Sequence, residues 1–170
     1  MSKDLQIIKK LESRFGEFYY EINNDKVTRF DLNSRHVEDE DLELIRKLVN
    51  LQELYLHHNN ITTVQSLNNL VELKWLWLSN NKITEIESLE NLINLEYLHL
   101  DDNEITEIKS LNKLTKLKVL DLRNNQIDTI QGLDNLSNLE DIDLNYNNIP
   151  EKEIEQFILN NRKTAVEFYN

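Results

Sequence analysis

Cysteine is absent from the 170 residues, which removes disulfide frameworks, thiolate nucleophiles and thiolate metal sites together. Proline occurs once and glycine twice, so collagen-like, proline-rich and low-complexity chains are excluded. The isolated Gly16 and Gly132 build no phosphate-cradling loop. Positive charge is scarce: 19 basic against 31 acidic residues leave a net charge of -12, a field that opposes phosphate backbones and anionic lipid surfaces. Nucleic acid and membrane are not expected partners. Long apolar runs are missing as well. No stretch approaches the roughly 18 apolar residues of a membrane span, and Met1 to Lys10 lacks the apolar core of a signal peptide. The expectation is a soluble, cytoplasmic protein. Asn60-Ile61-Thr62 and Asn135-Leu136-Ser137 fit the glycosylation sequon, but a chain this rich in asparagine produces such triplets by chance.

What the chain has instead is a period. Leu51, Leu73, Leu95, Leu117 and Leu139 recur every 22 residues and open equivalent strings, the self-similarity that marks a stacked-repeat architecture. The first string is Leu51-Leu54-Leu56-Asn59-Ile61, and the last is Leu139-Ile142-Leu144-Asn147-Ile149. An irregular copy, Val27-Phe30-Leu32-Val37, comes before them and carries Arg35 where an asparagine is expected.

One unit reads directly. Leu76 and Leu78 alternate with Trp75, Trp77 and Ser79, which predicts a short strand with one face in the core. Stacked units then form a parallel sheet. Asn81 follows where the chain must turn, and an inward carboxamide can bond backbone groups that the turn leaves unpaired. Asn59, Asn81, Asn103, Asn125 and Asn147 are thus expected to form a ladder. The spacing of three in Ile83, Ile86, Leu89 and Leu92 suits short, tight helical turns on the opposite, convex side.

With these strings the sequence resembles the leucine-rich repeat superfamily, near the short 22-residue class typified by a regulatory subunit of protein phosphatase 1. Residues 27 to 149 carry the resemblance. It implies an α/β solenoid with a curved parallel sheet on the concave face, short helical turns on the convex face, and terminal caps. Fold alone does not name a function.

A solenoid needs its end cores covered, and the flanks supply candidates. Leu5, Ile8, Leu11 and Phe15 predict a helix closed by Gly16. Residues 18–22 and 27–32 flank Asn23-Asn24-Asp25-Lys26 as a hairpin. Residues 39–49, with Leu42, Ile45, Leu48 and Val49, predict a convex helix. At the far end Pro150 suits the first position of a helix whose Ile154, Phe157 and Ile158 cover the last repeat. Residues 164–169 have strand-like composition and either return against the solenoid or form a loose tail. The whole is expected to be one domain, with 1–26 and 150–170 as caps.

Function in such a chain falls to the outward strand positions, because the leucines are committed to the core. Arg29, Glu53, Trp75, Tyr97, Val119 and Asp141 form one column. Asp31, Tyr55, Trp77, His99, Asp121 and Asp143 form a second, and Asn33, His57, Ser79, Asp101, Arg123 and Asn145 a third. Strands about 4.8 Å apart bring Tyr55, Trp77 and His99 side by side, with Trp75 beside Tyr97, as an exposed aromatic patch. Two readings stay open: aromatic residues stabilise sheets across strands, and exposed clusters of Trp and Tyr mark binding hot spots. Asp31, Glu53, Asp101, Asp121, Asp141 and Asp143 surround the patch and favour a basic partner.

The sequence therefore predicts a non-catalytic protein-binding module. Its candidate partner-binding residues are Tyr55, His57, Trp75, Trp77, Tyr97, His99, Asp101, Asp121, Arg123 and Asp143. The partner would be a protein or peptide with an apolar or cationic anchor and a basic rim, and regulation of an enzyme is one version implied by the resemblance. A glycan-binding module is the alternative. A monomer is favoured over a homo-oligomer, and no cofactor is expected. A metal is not expected either, since His57 and His99 stand two strands apart in different columns. Ser79, His57 and Asp101 offer hydrolase residue types on an open face with no oxyanion hole.

Overall fold

The computed structural model describes residues 2–108, 111–133, 135–161 and 163–168. The alternation of apolar and polar residues becomes an unclosed eight-stranded sheet in sequence order: β1 (Tyr19–Asn23), β2 (Lys26–Asp31), β3 (Glu53–Tyr55), β4 (Trp75–Trp77), β5 (Tyr97–His99), β6 (Val119–Asp121), β7 (Asp141–Asp143) and β8 (Ala165–Glu167). Only β1 and β2 pair antiparallel. From β2 onward each strand lies parallel to the next, and between the 22-residue repeats partners differ by one full period, as in Trp75 beside Tyr97 and Trp77 beside His99. Equal repeat lengths make that register unavoidable, because a one-residue slip would turn every leucine outward.

The leucines and isoleucines of all repeats form one continuous core, with Leu54, Leu76, Leu98 and Leu120 fully excluded from solvent. The ladder asparagines knit this core to the turns above it. Asn81 donates to the carbonyls of Leu78 in its own repeat (2.9 Å) and Leu56 in the preceding one (3.0 Å), and its Oδ1 accepts the Ile61 N–H (3.0 Å). Asn103, Asn125 and Asn147 repeat the pattern. Asn59, at the start, accepts from both Arg35 N and Val37 N. The irregular Arg35 turns its guanidinium to the Phe15 and Glu17 carbonyls, tying the first turn to the N-terminal cap.

That cap is α1 (Lys3–Phe15), with Ser2 as N-cap and Gly16 as C-cap at φ 75°. Ile7, Ile8 and Leu11 are buried, while Leu5 is only half-buried. Asp4, buried beneath the hairpin, accepts the Val27 N–H at 3.0 Å. Asn24 and Asp25 turn the hairpin with positive φ, as short polar side chains tolerate. The convex side carries α2 (Asp39–Ile45) and 3-10 turns at Gln65–Leu67 and Glu87–Asn91. The corresponding turns of later repeats fall partly on residues 109, 110 and 134, outside the described residues.

Three sequence expectations need correction. The helix expected over 39–49 ends at Ile45, so Leu48 is buried from the following turn but Val49 is exposed. Pro150 is the N-cap of α3 (Glu151–Asn160) rather than its first helical residue. Ile154 and Phe157 cover the last repeat, whereas Ile158 points to solvent. The two possibilities for the C-terminal stretch are resolved in favour of return: β8 pairs parallel with β7, Val166 beside Ile142, while Tyr169 lies outside the described residues. No described helix is long and apolar enough to cross a membrane.

Candidate functional site

The parallel register assembles the outward columns on the concave face of the sheet. Arg29, Glu53, Trp75, Tyr97, Val119 and Asp141 are successive neighbours, as are Asp31, Tyr55, Trp77, His99, Asp121 and Asp143. Strand β8 lengthens both columns, with Ala165 and Glu167.

The aromatic residues pack against one another and are half-buried rather than fully exposed as the sequence suggested. Trp75 and Tyr97 stack, with ring centroids 4.0 Å apart and planes at 22°. Trp77 sits at the centre of the second column, its centroid 4.5 Å from His99, 5.6 Å from Tyr55 and 6.1 Å from His57. Large rings on strands about 4.8 Å apart must tilt onto their neighbours, and this removes part of each face from water. Two polar atoms in the cluster, Trp77 Nε1 and His57 Nδ1, are buried without a hydrogen-bond partner.

At the N-terminal edge the cluster is closed from within. The Arg29 guanidinium lies 4.9 Å from the Tyr55 ring centroid and 5.4 Å from that of Tyr19, and its Nε is 3.4 Å from Glu53. Tyr55 donates its hydroxyl to Glu53 Oε2 at 2.8 Å. Burial, followed by that bond to a carboxylate, pushes the Tyr55 phenol up to about 12. Glu53 is therefore engaged and not a free rim charge.

Toward the C-terminal edge the face becomes acidic. Asp101 is buried, not part of an exposed rim: it accepts the Ser79 hydroxyl at 2.5 Å and faces Arg123 Nη2 at 3.3 Å. The serine thus meets the acid directly, and no imidazole stands between them as a hydrolytic relay requires. Asp121 and Asp143 each accept a backbone N–H two residues on, from Arg123 and Asn145. Burial, then the neighbouring charges of Asp101 and Asp143, push the Asp121 carboxyl up to about 6. Burial also lowers the imidazoles of His57 and His99 from the ordinary histidine value.

All ten candidate residues thus lie on one face, and the structure divides them. Tyr55, His57, Trp75, Trp77, Tyr97 and His99 form the aromatic half on β3 to β5 and the turn after β3. Asp121 on β6, Arg123 in the turn after it and Asp143 on β7 belong to the acidic half, with Asp101 buried between the two halves. Arg29 and Glu167 belong to the face as well, although sequence reasoning did not place either in the site. The signal for Arg29 was its place beside Glu53 in the first column. Glu167 had none, because its register follows from a helix returning the chain to the sheet.

Comparison with known proteins agrees with this architecture. Family models described as "Leucine Rich repeats (2 copies)" match residues 71–113, 93–135 and 115–161, and a "Leucine rich repeat" model matches 25–83. A search of curated proteins finds no match. Among solved structures, the chain is similar to a Leptospira interrogans leucine-rich repeat protein, at 32% identity and TM-score 0.78, covering 83% of this chain and 37% of that one. An internalin from Listeria monocytogenes is 26% identical, with TM-score 0.73, covering 86% of this chain and 48% of the other. Internalin C2 of the same bacterium, 23% identical over 96% and 92% of the two chains with TM-score 0.57, shares the fold. The chain spans less than half the length of the first two. With the repeats recognised over residues 25–161 and the asparagine ladder and parallel sheet in place, the chain belongs to the leucine-rich repeat family.

Proposed function

We propose that this chain is a non-catalytic module that binds a protein or peptide on its concave face. The observation that carries the reading is the pair of adjoining aromatic clusters, Trp75 on Tyr97 and Trp77 between Tyr55 and His99, in the middle of the sheet. Tryptophan and tyrosine are the residues that most often anchor interfaces, through large area at low entropic cost. Family membership supports the coarse statement, since leucine-rich repeats serve as interaction scaffolds.

The electrostatics extend it to partner chemistry. Arg29 already covers the Tyr55 end of the cluster, whereas at the other end Asp101, Asp121 and Asp143 share the charge of Arg123 and the acidic columns run on through Asp141 and Glu167. A complementary ligand presents an apolar anchor to β4 and β5 and basic residues to β6 through β8. Regulation of an enzyme partner is the finer version, suggested by the likeness of the 22-residue period to a phosphatase regulator. Glycan binding is less well served, because Trp75 and Tyr97 spend a ring face on each other rather than offering it to a sugar.

The test is affinity capture with the wild-type chain and with Trp75→Ala/Trp77→Ala, identified by mass spectrometry, beside a glycan array. The reading expects a protein retained by the wild type and lost from a variant whose circular dichroism is unchanged. A partner held equally by both would remove the aromatic face from the site, and selective glycan binding would replace the protein ligand.

A further inference from the structure

The concave face brings together a group that the separation of His57 from His99 had seemed to forbid. His99 ends β5, Asp101 follows two residues later, and Asp121 ends β6 directly beside His99. A ligand-capable atom on each of the three lies within 4.8 Å of the other two, and this is the one such group among the described residues. His99 Nδ1 is 4.0 Å from Asp121 Oδ2. Ligands of a tetrahedral ion at about 2.1 Å stand roughly 3.4 Å apart, so modest side-chain rotations would close the set.

We propose that His99, Asp101 and Asp121 form a divalent-cation site of the type that takes Zn2+. One imidazole with two carboxylates favours a borderline-soft ion over Mg2+ or Ca2+, which prefer all-oxygen shells. The carboxylates are already oriented by outer partners. Asp101 accepts the Ser79 hydroxyl, and Asp121 Oδ1 accepts the Arg123 N–H at 3.0 Å, leaving Oδ2 toward His99. Two acids, one of them buried, share this place with a single cation among the described residues, Arg123, and Asp143 stands on the next strand. The competitor is Arg123, 3.3 Å from Asp101 Oδ2, whose side chain is 43% exposed and free to swing outward. Three protein ligands leave the fourth position open to water or to a group brought by whatever docks on the face.

Three ligands from this chain hold the ion without a partner, so the site is tested on the isolated chain, stripped with chelator and titrated with ZnCl2 at pH 7.5 by calorimetry and tryptophan fluorescence. Saturable binding of one ion is expected, with a change in emission because the Trp77 ring lies 4.5 Å from that of His99. His99→Gln and Asp121→Asn should each weaken binding at least tenfold. Arg123→Gln should tighten it several-fold, a gain that misfolding would not produce. His57→Gln/His58→Gln, which removes the adjacent imidazole pair, should leave it unchanged. The site is overturned if no stoichiometric binding occurs, if MgCl2 binds as tightly, or if the His57/His58 variant loses the ion and the His99 variant does not.

Discussion

Asn103 Oδ1 accepts the backbone N–H of Ile83, twenty residues earlier, at 3.0 Å. The same carboxamide donates to the Leu78 and Leu100 carbonyls at 3.0 Å each, so one side chain joins two repeats through buried backbone groups. Replacing Asn103 by Ala should destabilise the protein by about 1 to 3 kcal/mol, since those groups lose their partner where water does not reach. Asn112 is exposed outside the ladder and should tolerate Ala. Urea unfolding of the two variants checks this, and equal midpoints would contradict it.

The C-terminal cap supplies backbone as well as apolar cover. Leu144 N donates to Glu167 O, and Ala165 N donates to Glu140 O, each at 2.8 Å, while Ile154 and Phe157 sit on the last repeat. Deleting residues 151–170 would leave β7 as a bare edge beside an uncovered leucine core. Aggregation or a large fall in stability is expected by light scattering and thermal melting. A monomeric truncated chain of unchanged stability would show that the last repeat closes itself.

Backbone conformation gives an opposed pair of substitutions. The residue before each ladder asparagine is left-handed: His58, Asn80, Asp102, Asn124 and Tyr146 have φ between 53° and 58°. Asparagine and aspartate adopt this readily, and a bulky aromatic does not. Tyr146 is 60% exposed, so Tyr146→Asn should stabilise by about 0.5 to 1 kcal/mol. Gly132, at φ 104°, would place a Cβ into the Ile108 carbonyl oxygen, and Gly132→Ala should cost about 2 kcal/mol or more. Denaturant midpoints that moved the same way would refute the assignment.

Tyr55 offers a spectroscopic readout of the N-terminal edge of the site. With its phenol raised from 10.0 to about 12, absorbance titration near 295 nm should show a late phenolate step that Tyr55→Phe removes. The folded chain holds this proton more tightly than the unfolded one. The associated stability is therefore full below about pH 10 and lost as pH rises toward 12. If Tyr55→Phe instead removed a step near 10, the phenol would be neither buried nor bonded to Glu53.

Much of the molecule was legible because a 22-residue period and a two-residue alternation leave few alternatives. Leu51 to Leu139 could only face inward, each strand from β3 to β7 had to pair with the one 22 residues away, and Asn59 through Asn147 had to fall at the same turn. The three outward columns follow from the same arithmetic, which is why Trp75 and Tyr97 could be placed side by side. Helix ends were less legible because α2 stops at Ile45 by local turn geometry that apolar spacing does not encode.

The sequence by itself determined the fold, the ladder and the membership of the concave face, since these depend on spacing along the chain. Only the tertiary structure decided how those members interact. Trp75 turned its ring onto Tyr97, Arg29 covered Tyr55, Asp101 sank beneath Arg123 and Ser79, and Glu167 joined the acidic edge on a returning strand. The meeting of His99, Asp101 and Asp121 arises the same way. Side-chain rotation and burial depend on neighbours a full repeat distant, and a periodic pattern fixes where those neighbours stand but not which way they turn.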